Sequence, residues 1–329
     1  MDVKKLILHV GLWKTGTTTI QSYLSRAYPQ LKSDGVLYPK TSRLQPDGSL
    51  DTAHHRLSGL LREAEGFMTQ PIAAILGEIN KEIHQSRCDT VMLSSETFFG
   101  LQRPEILRQY FAADEVQIIA TFRNQPDFLS SMYYTDVCHR KVIDYPMEYL
   151  ENYNGNLLDY AGCLAKWRNA WPAAQFSVSL FERGTTARDF PAAHVIKQIG
   201  LDWDMDMSEN RVEHRSLPAQ ATLFLRQLSA AGWPPGAFFD VFEACHRNTV
   251  WFAPVRNHFS PTVSESIFAQ YAPQNAALAQ HFITQGPTEF SPPNLSDPNE
   301  WTQAMGEAQA VFSTVLRRIS KAAAQASVS

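Results

Sequence analysis

"LILHVGLWKTGTTTI", residues 6–20, decides how the rest of the chain is read. Leu6–Val10 is short, apolar apart from His9, and ends at Gly11, a pattern that predicts a buried strand. From Thr17 the period changes: Ile20, Tyr23, Leu24 and Ala27 share one helical face, and Pro29 marks the stop. Strand, glycine-bounded loop and helix form the opening of an α/β nucleotide-binding fold. Gly11 and Gly16 keep the spacing of a phosphate-binding loop, yet Thr17 stands where a nucleotide triphosphatase carries its lysine. The lysine sits mid-loop instead, at Lys14.

Outward from this stretch, Val36–Tyr38, "TVML" (90–93), "VQIIATF" (116–122) and "FSVSLF" (176–181) read as further strands. Helical patterns separate them, most clearly Ile72, Ile75, Leu76, Ile79 and Ile83. Apolar runs alternating with helices predict a mostly parallel sheet, covered on both faces. Beyond about residue 200 strand signals fade. Helices are expected near Ala221–Leu228, Pro235–His246, Val263–Phe282 and Trp301–Ala324. The expected architecture is one α/β domain over residues 1–329, with a P-loop-like core over about 1–200 and a helical C-terminal part over about 201–329.

A chain of 329 residues, 44% hydrophobic, can bury a substantial core. Its net charge of −4 argues against a nucleic-acid binder, so an anionic ligand must be held by a few local cations. Cys88, Cys138, Cys163 and Cys245 fit neither a zinc site nor a disulfide framework. They read as reduced and mostly buried, which suits a cytoplasmic protein. No apolar run is long enough for a membrane anchor, and no metal-ligand cluster stands out.

Two segments sit where ligands of parallel sheets bind, at the carboxyl ends of strands. In the first, residues 11–18, backbone N–H groups and the positive end of the following helix can cradle a phosphate. In the second, "FRNQPDFLSSMYY" (122–134), Arg123 can fork onto another phosphate and Ser131, on the following helix, can reach the same oxygens; Ser130 is its neighbour and rival.

This pair of segments resembles the PAPS-dependent sulfotransferases, whose donor is 3′-phosphoadenosine 5′-phosphosulfate. "KTGTT" (Lys14–Thr18) matches the family's 5′-phosphosulfate loop, and Arg123 with Ser131 matches its 3′-phosphate site. "GVLYP", "HHRL", "LSSETF", "LDYAGCLAKW" and "FER" are similar to bacterial members, so the likeness covers residues 5–200, and more weakly "YAPQNAALAQHF" (271–282). Trp13 and Thr19 depart from the proline and tryptophan of cytosolic animal members. Arg211 and Arg215 are the candidates for the basic loop that closes over the nucleotide.

The resemblance implies transfer of a sulfuryl group from PAPS to an acceptor hydroxyl or amine, leaving adenosine 3′,5′-bisphosphate. Thr15, Gly16, Thr17 and Thr18 would hold the 5′-phosphate and Lys14 the bridging oxygen, with no metal. A sulfuryl group carries less charge than the phosphoryl group for which kinases need Mg²⁺. For the general base the expectation is His54, a side chain whose ordinary pKa suits the task, with His55 and Glu96 as alternatives. The acceptor class (sugar, lipid, peptide or small metabolite) is not legible. Two other readings remain open: a P-loop kinase or nucleotide triphosphatase, which lacks the lysine after Gly16, and a non-catalytic nucleotide-binding module.

Overall fold

The computed structural model describes residues 2–64, 67–153, 155–181, 191–203, 216–247, 255, 257–284, 286–306 and 310. In chain order the strands are β1 (Asp2–His9), β2 (Val36–Leu37), β3 (Thr90–Ser94), β4 (Ala112–Phe122) and β5 (Gln175–Leu180). The helices among them are α1 (Thr17–Arg26), α2 (Tyr28–Ser33), α3 (His55–Glu63), α4 (Gln70–Ser86), α5 (Glu105–Arg108), α6 (Gln125–Cys138), α7 (Pro146–Asn152) and α8 (Tyr160–Ala170). After β5 come α9 (Pro191–Gln198), α10 (Ala219–Ala230), α11 (Pro235–Arg247), α12 (Pro261–Gln270) and α13 (Ala272–Phe282).

The five strands form one sheet in the order β2-β3-β1-β4-β5, and every pairing is parallel. This is an α/β fold, as the alternation of apolar runs and helices predicts. β1 is central, with Leu6 opposite both Val91 and Val116. From Leu6 to His9 its side chains are buried on both faces, which is why that stretch reads as an apolar run rather than an alternation. Ile7 lies in a cluster with Ile20 and Leu24 of α1, Met92, Ile119, and Val195 and Ile196 of α9. The chain first fills one side of β1 with β2 and β3, then crosses to place β4 and β5 on the other. The order therefore reverses beside β1, and such a switch point opens a crevice at the strands' carboxyl ends.

The described chain gathers into two compact units. The first holds the sheet: residues 1–123, 155–213 and 271–291. The second is helical: residues 124–154, 214–270 and 292–329. This division does not follow a boundary near residue 200, for a packing reason. Tyr133, Val137 and Tyr149 of α6 and α7 share a core with Leu225, Leu228 and Phe238 of α10 and α11. Conversely Phe282 of α13 meets Phe176 of β5, ring centres 5.1 Å apart. The helix expected over Val263–Phe282 is two helices, broken at Tyr271, just ahead of Pro273. A proline has no N–H for the ladder and biases the residue before it away from helix.

All four cysteines are buried and none forms a disulfide. Burial raises the Cys163 and Cys245 thiols to about 11. Among the described residues no helix is long and apolar enough to cross a membrane.

Candidate functional site

Past its last ladder residue β1 continues alongside β4, with Val10 N–H on Ile119 O at 2.9 Å and Leu12 N–H on Thr121 O at 3.3 Å. The chain then turns back into α1. Lys14 and Gly16 both adopt left-handed backbone, at φ 64° and 86°. For glycine this is free; for lysine it costs about 1–2 kcal/mol. The Thr15 hydroxyl donates to Leu12 O at 2.6 Å and pins the turn from inside. Gly16 is the N-cap of α1 and supplies no side-chain cap. The first helical hydrogen bond is Ile20 N–H to Gly16 O, so the N–H groups of Thr17, Thr18 and Thr19 precede the ladder and face out of the helix end. Such a terminus suits an anion. Thr17 is buried, Thr18 exposed and Lys14 half-buried. A side chain at Gly11 would come within 3.0 Å of His9 Nε2, so the chain there passes against the imidazole.

The loop stands beside a polar cluster at the end of β3. His9 Nδ1 lies 2.7 Å from Ser94 Oγ. Gln21 of α1 reaches the same hydroxyl at 3.4 Å and donates to Glu96 Oε2 at 2.8 Å. His55 Nε2 stands 3.9 Å from that carboxylate oxygen, and its Nδ1 is 3.0 Å from Ser95 Oγ. Ser58 Oγ completes the group at 2.7 Å from Ser95 Oγ. The segments "HHRL" and "LSSETF" thus meet because α3 packs on the short turn Glu96–Gly100 that follows β3. His9 and Gln21 were not among the sequence candidates. The available signal was a polar residue inside an otherwise apolar element, His9 within β1 and Gln21 beside Ile20.

The adjacent histidines have opposite environments. His54 is fully buried. Its backbone N–H bonds Ser94 O at 2.8 Å, and its Nδ1 accepts the Ser94 N–H at 3.0 Å. Its ring stands edge-on to Tyr38 at 4.7 Å. Burial, reinforced by the Arg43 guanidinium, pushes its pKa down to about 3. His54 therefore clamps the end of β3 as a neutral ring. The side chain of His55, 38% exposed and next to Glu96, is the one reaching solvent. His9 is likewise buried and neutral, pushed down to about 4 by desolvation.

Arg123 follows the last residue of β4 and is 6% exposed. Its carbonyl accepts the Tyr160 hydroxyl at 2.9 Å, and its guanidinium lies 5.8 Å from the centre of the Phe181 ring. Ser131 belongs to the second unit, on α6, 9% exposed. Its neighbour Ser130 is engaged: its hydroxyl oxygen lies 2.7 Å from His258 Nδ1 and accepts the His258 N–H at 3.1 Å. Arg211 and Arg215 lie outside the described residues. Among the described residues no group of three or more His, Cys, Asp or Glu side chains gathers as a metal site would.

No protein-family model matches the chain, and neither a curated protein nor a solved structure matches it significantly.

Proposed function

We propose that this protein is a PAPS-dependent sulfotransferase that moves a sulfuryl group to an acceptor hydroxyl or amine. The observation that carries the reading is the loop: a lysine bent into left-handed backbone, between two glycines, ahead of a helix terminus without a side-chain cap. Backbone strain at a non-glycine residue is of the kind that clusters at functional sites, and it sets the direction in which the Lys14 side chain leaves the loop. The N–H groups of Gly16, Thr17 and Thr18, with the threonine hydroxyls, suit the donor's 5′-phosphate. Lys14 suits the oxygen that bridges phosphate and sulfur. Arg123, buried at the neighbouring strand end, suits the 3′-phosphate; the share of Ser131 in it rests on the resemblance alone, with its rival Ser130 already bonded to His258.

In the reaction the acceptor oxygen or nitrogen forms a bond to sulfur while the bridging oxygen leaves with the 5′-phosphate. Lys14 stabilises the charge arriving on that oxygen. The acceptor's proton passes to a base. Burial of His54 speaks against giving it that part, so we assign the base to His55 paired with Glu96. Glu96 would hold the imidazole in place, and Gln21 would hold Glu96. The reading keeps the cytoplasmic setting expected from four reduced cysteines.

Calorimetric titration tests the donor site. Adenosine 3′,5′-bisphosphate should bind without metal, at least tenfold tighter than ATP. Transfer from PAPS should persist in EDTA. Tight binding of ATP with Mg²⁺ and none of the bisphosphate would overturn the proposal.

A further inference from the structure

Behind the proposed base lie two serines that take no direct part in transfer. Ser58 stands one turn along α3 from His55, and Ser95 caps the turn Glu96–Gly100. Both are fully buried, so solvent supplies neither hydroxyl with a partner. A hydroxyl has one proton to donate and two lone pairs with which to accept. The contacts around these two therefore fix where each proton goes.

Ser58 Oγ lies 3.2 Å from the His55 carbonyl oxygen, which can only accept, so Ser58 donates there. With its proton spent, Ser58 Oγ is an acceptor for Ser95 Oγ at 2.7 Å. Ser95 thus donates to Ser58. The Ser95 oxygen also accepts the Thr97 N–H at 3.2 Å, and one lone pair remains. That lone pair faces His55 Nδ1 at 3.0 Å. Only an N–H can meet it, so the ring proton sits on Nδ1 and the imidazole lone pair on Nε2. The reverse order, Ser58 to Ser95 to Nδ1, would set Ser58 Oγ against the carbonyl as two buried acceptors with no proton between them. His55 Nε2 itself stands 3.9 Å from Glu96 Oε2, beyond hydrogen-bond length, on a side chain that is 38% exposed.

We infer that Ser58 and Ser95 are positioning residues: they hold the neutral His55 ring in its Nδ1–H tautomer and so make Nε2 the nitrogen that receives the acceptor's proton. The inference rests on the reading of His55 as the base and deepens it. As the acceptor oxygen or nitrogen bonds to sulfur, its proton moves to Nε2, while the Nδ1–H stays on Ser95. The positive charge then faces the Glu96 carboxylate. Ser58 acts through another group, since its hydroxyl bonds the His55 carbonyl and Ser95 rather than the ring.

The test is long-range proton–nitrogen correlation NMR on the full chain carrying isotope-labelled histidine. His55→Gln identifies the His55 signals by their loss. Spectra are taken at rising pH until those signals stop moving, which isolates the neutral ring. A protonated Nδ1 and a bare Nε2 are expected. Ser58→Ala should reverse them, because the freed Ser95 proton then turns to Nδ1. The same variant should lower kcat with PAPS about tenfold, the worth of one hydrogen bond, with little change in KM. Circular dichroism checks its fold; if it does not fold, the parent spectrum decides. A protonated Nε2 in the parent, or a protonated Nδ1 kept in folded Ser58→Ala, overturns the inference. So does parent-like turnover in a variant whose tautomer has switched. The expected tautomers in a protein that moves no sulfuryl group from PAPS would count against the transferase reading and leave the proton arrangement standing.

Discussion

Exchanging the two adjacent histidines in turn separates a structural ring from a chemical one. His54→Ala removes the acceptor of the Ser94 N–H and the edge contact with Tyr38 in a fully buried position. An orphaned buried donor costs about 1–3 kcal/mol and an aromatic edge contact about 0.5–1.5, so the variant should lose about 2–4 kcal/mol of stability. His54→Asn keeps an acceptor where Nδ1 stood and should regain part of that loss. His55→Ala removes a side chain that is 38% exposed, touches the Ser95 hydroxyl and stands 3.9 Å from the Glu96 carboxylate, and should cost below about 1 kcal/mol. The catalytic expectation is the reverse. His55→Ala should lower the rate of bisphosphate release from PAPS in the presence of an acceptor by about a hundred- to ten-thousandfold. His54→Asn, where folded, should stay within a fewfold of the parent. Urea unfolding followed by circular dichroism gives the stabilities and a coupled assay of product nucleotide gives the rates. A folded His54→Asn protein with no turnover, beside an active His55→Ala, would refute both the burial argument and the base assignment.

Three further outcomes follow from the same geometry. Lys14→Gly should stabilise the fold by about 1 kcal/mol by relieving left-handed backbone while lowering kcat by about a hundred- to a thousandfold, read from melting and turnover on one preparation. Arg123→Lys keeps the charge but loses the fork, so calorimetry should show about tenfold weaker binding of adenosine 3′,5′-bisphosphate and little change for adenosine 5′-monophosphate. Stability should fall on acidification. Above pH 6.5 both folded and unfolded chains hold the buried histidines neutral. Below it the unfolded chain takes up protons that the native rings refuse until about pH 4 for His9 and about 3 for His54 and His258. The loss should approach about 1.4 kcal/mol per pH unit for each ring. Urea midpoints at pH 7, 6 and 5 measure it, and a flat profile would contradict the three neutral rings.

The five strands were legible because three carry apolar runs, Gln175–Leu180 alternates apolar and polar residues, and the short edge strand Val36–Leu37 follows Gly35. The turn into α1 was legible at Gly16, whose left-handed backbone favours glycine, whereas the left-handed backbone at Lys14 had no glycine to announce it. Which histidine faces inward was not. His54 and His55 are neighbours at a helix start, and only the docking of α3 on the end of β3 gives one to the core and the other to the surface. Gln21 stayed hidden because helical periodicity marks apolar faces and says nothing of a buried amide spanning to Glu96. The division into two units was equally unreadable. It depends on distant segments sharing one core, as Val137 and Leu225 do, which leaves no local trace. Only the break at Tyr271 had a local sign, Pro273, which the continuous apolar pattern on either side obscured.

The burial of the four cysteines has a use at the bench. A thiol reacts with maleimides through its thiolate, and burial raises the pKa of Cys163 and Cys245 to about 11 while all four sulfurs are shielded from reagent. The native chain should therefore stay largely unlabelled at neutral pH without any cysteine being removed. A single cysteine introduced at the exposed Ala74 on α4 would carry one fluorophore on a background of silent thiols, leaving the packing of the sheet untouched.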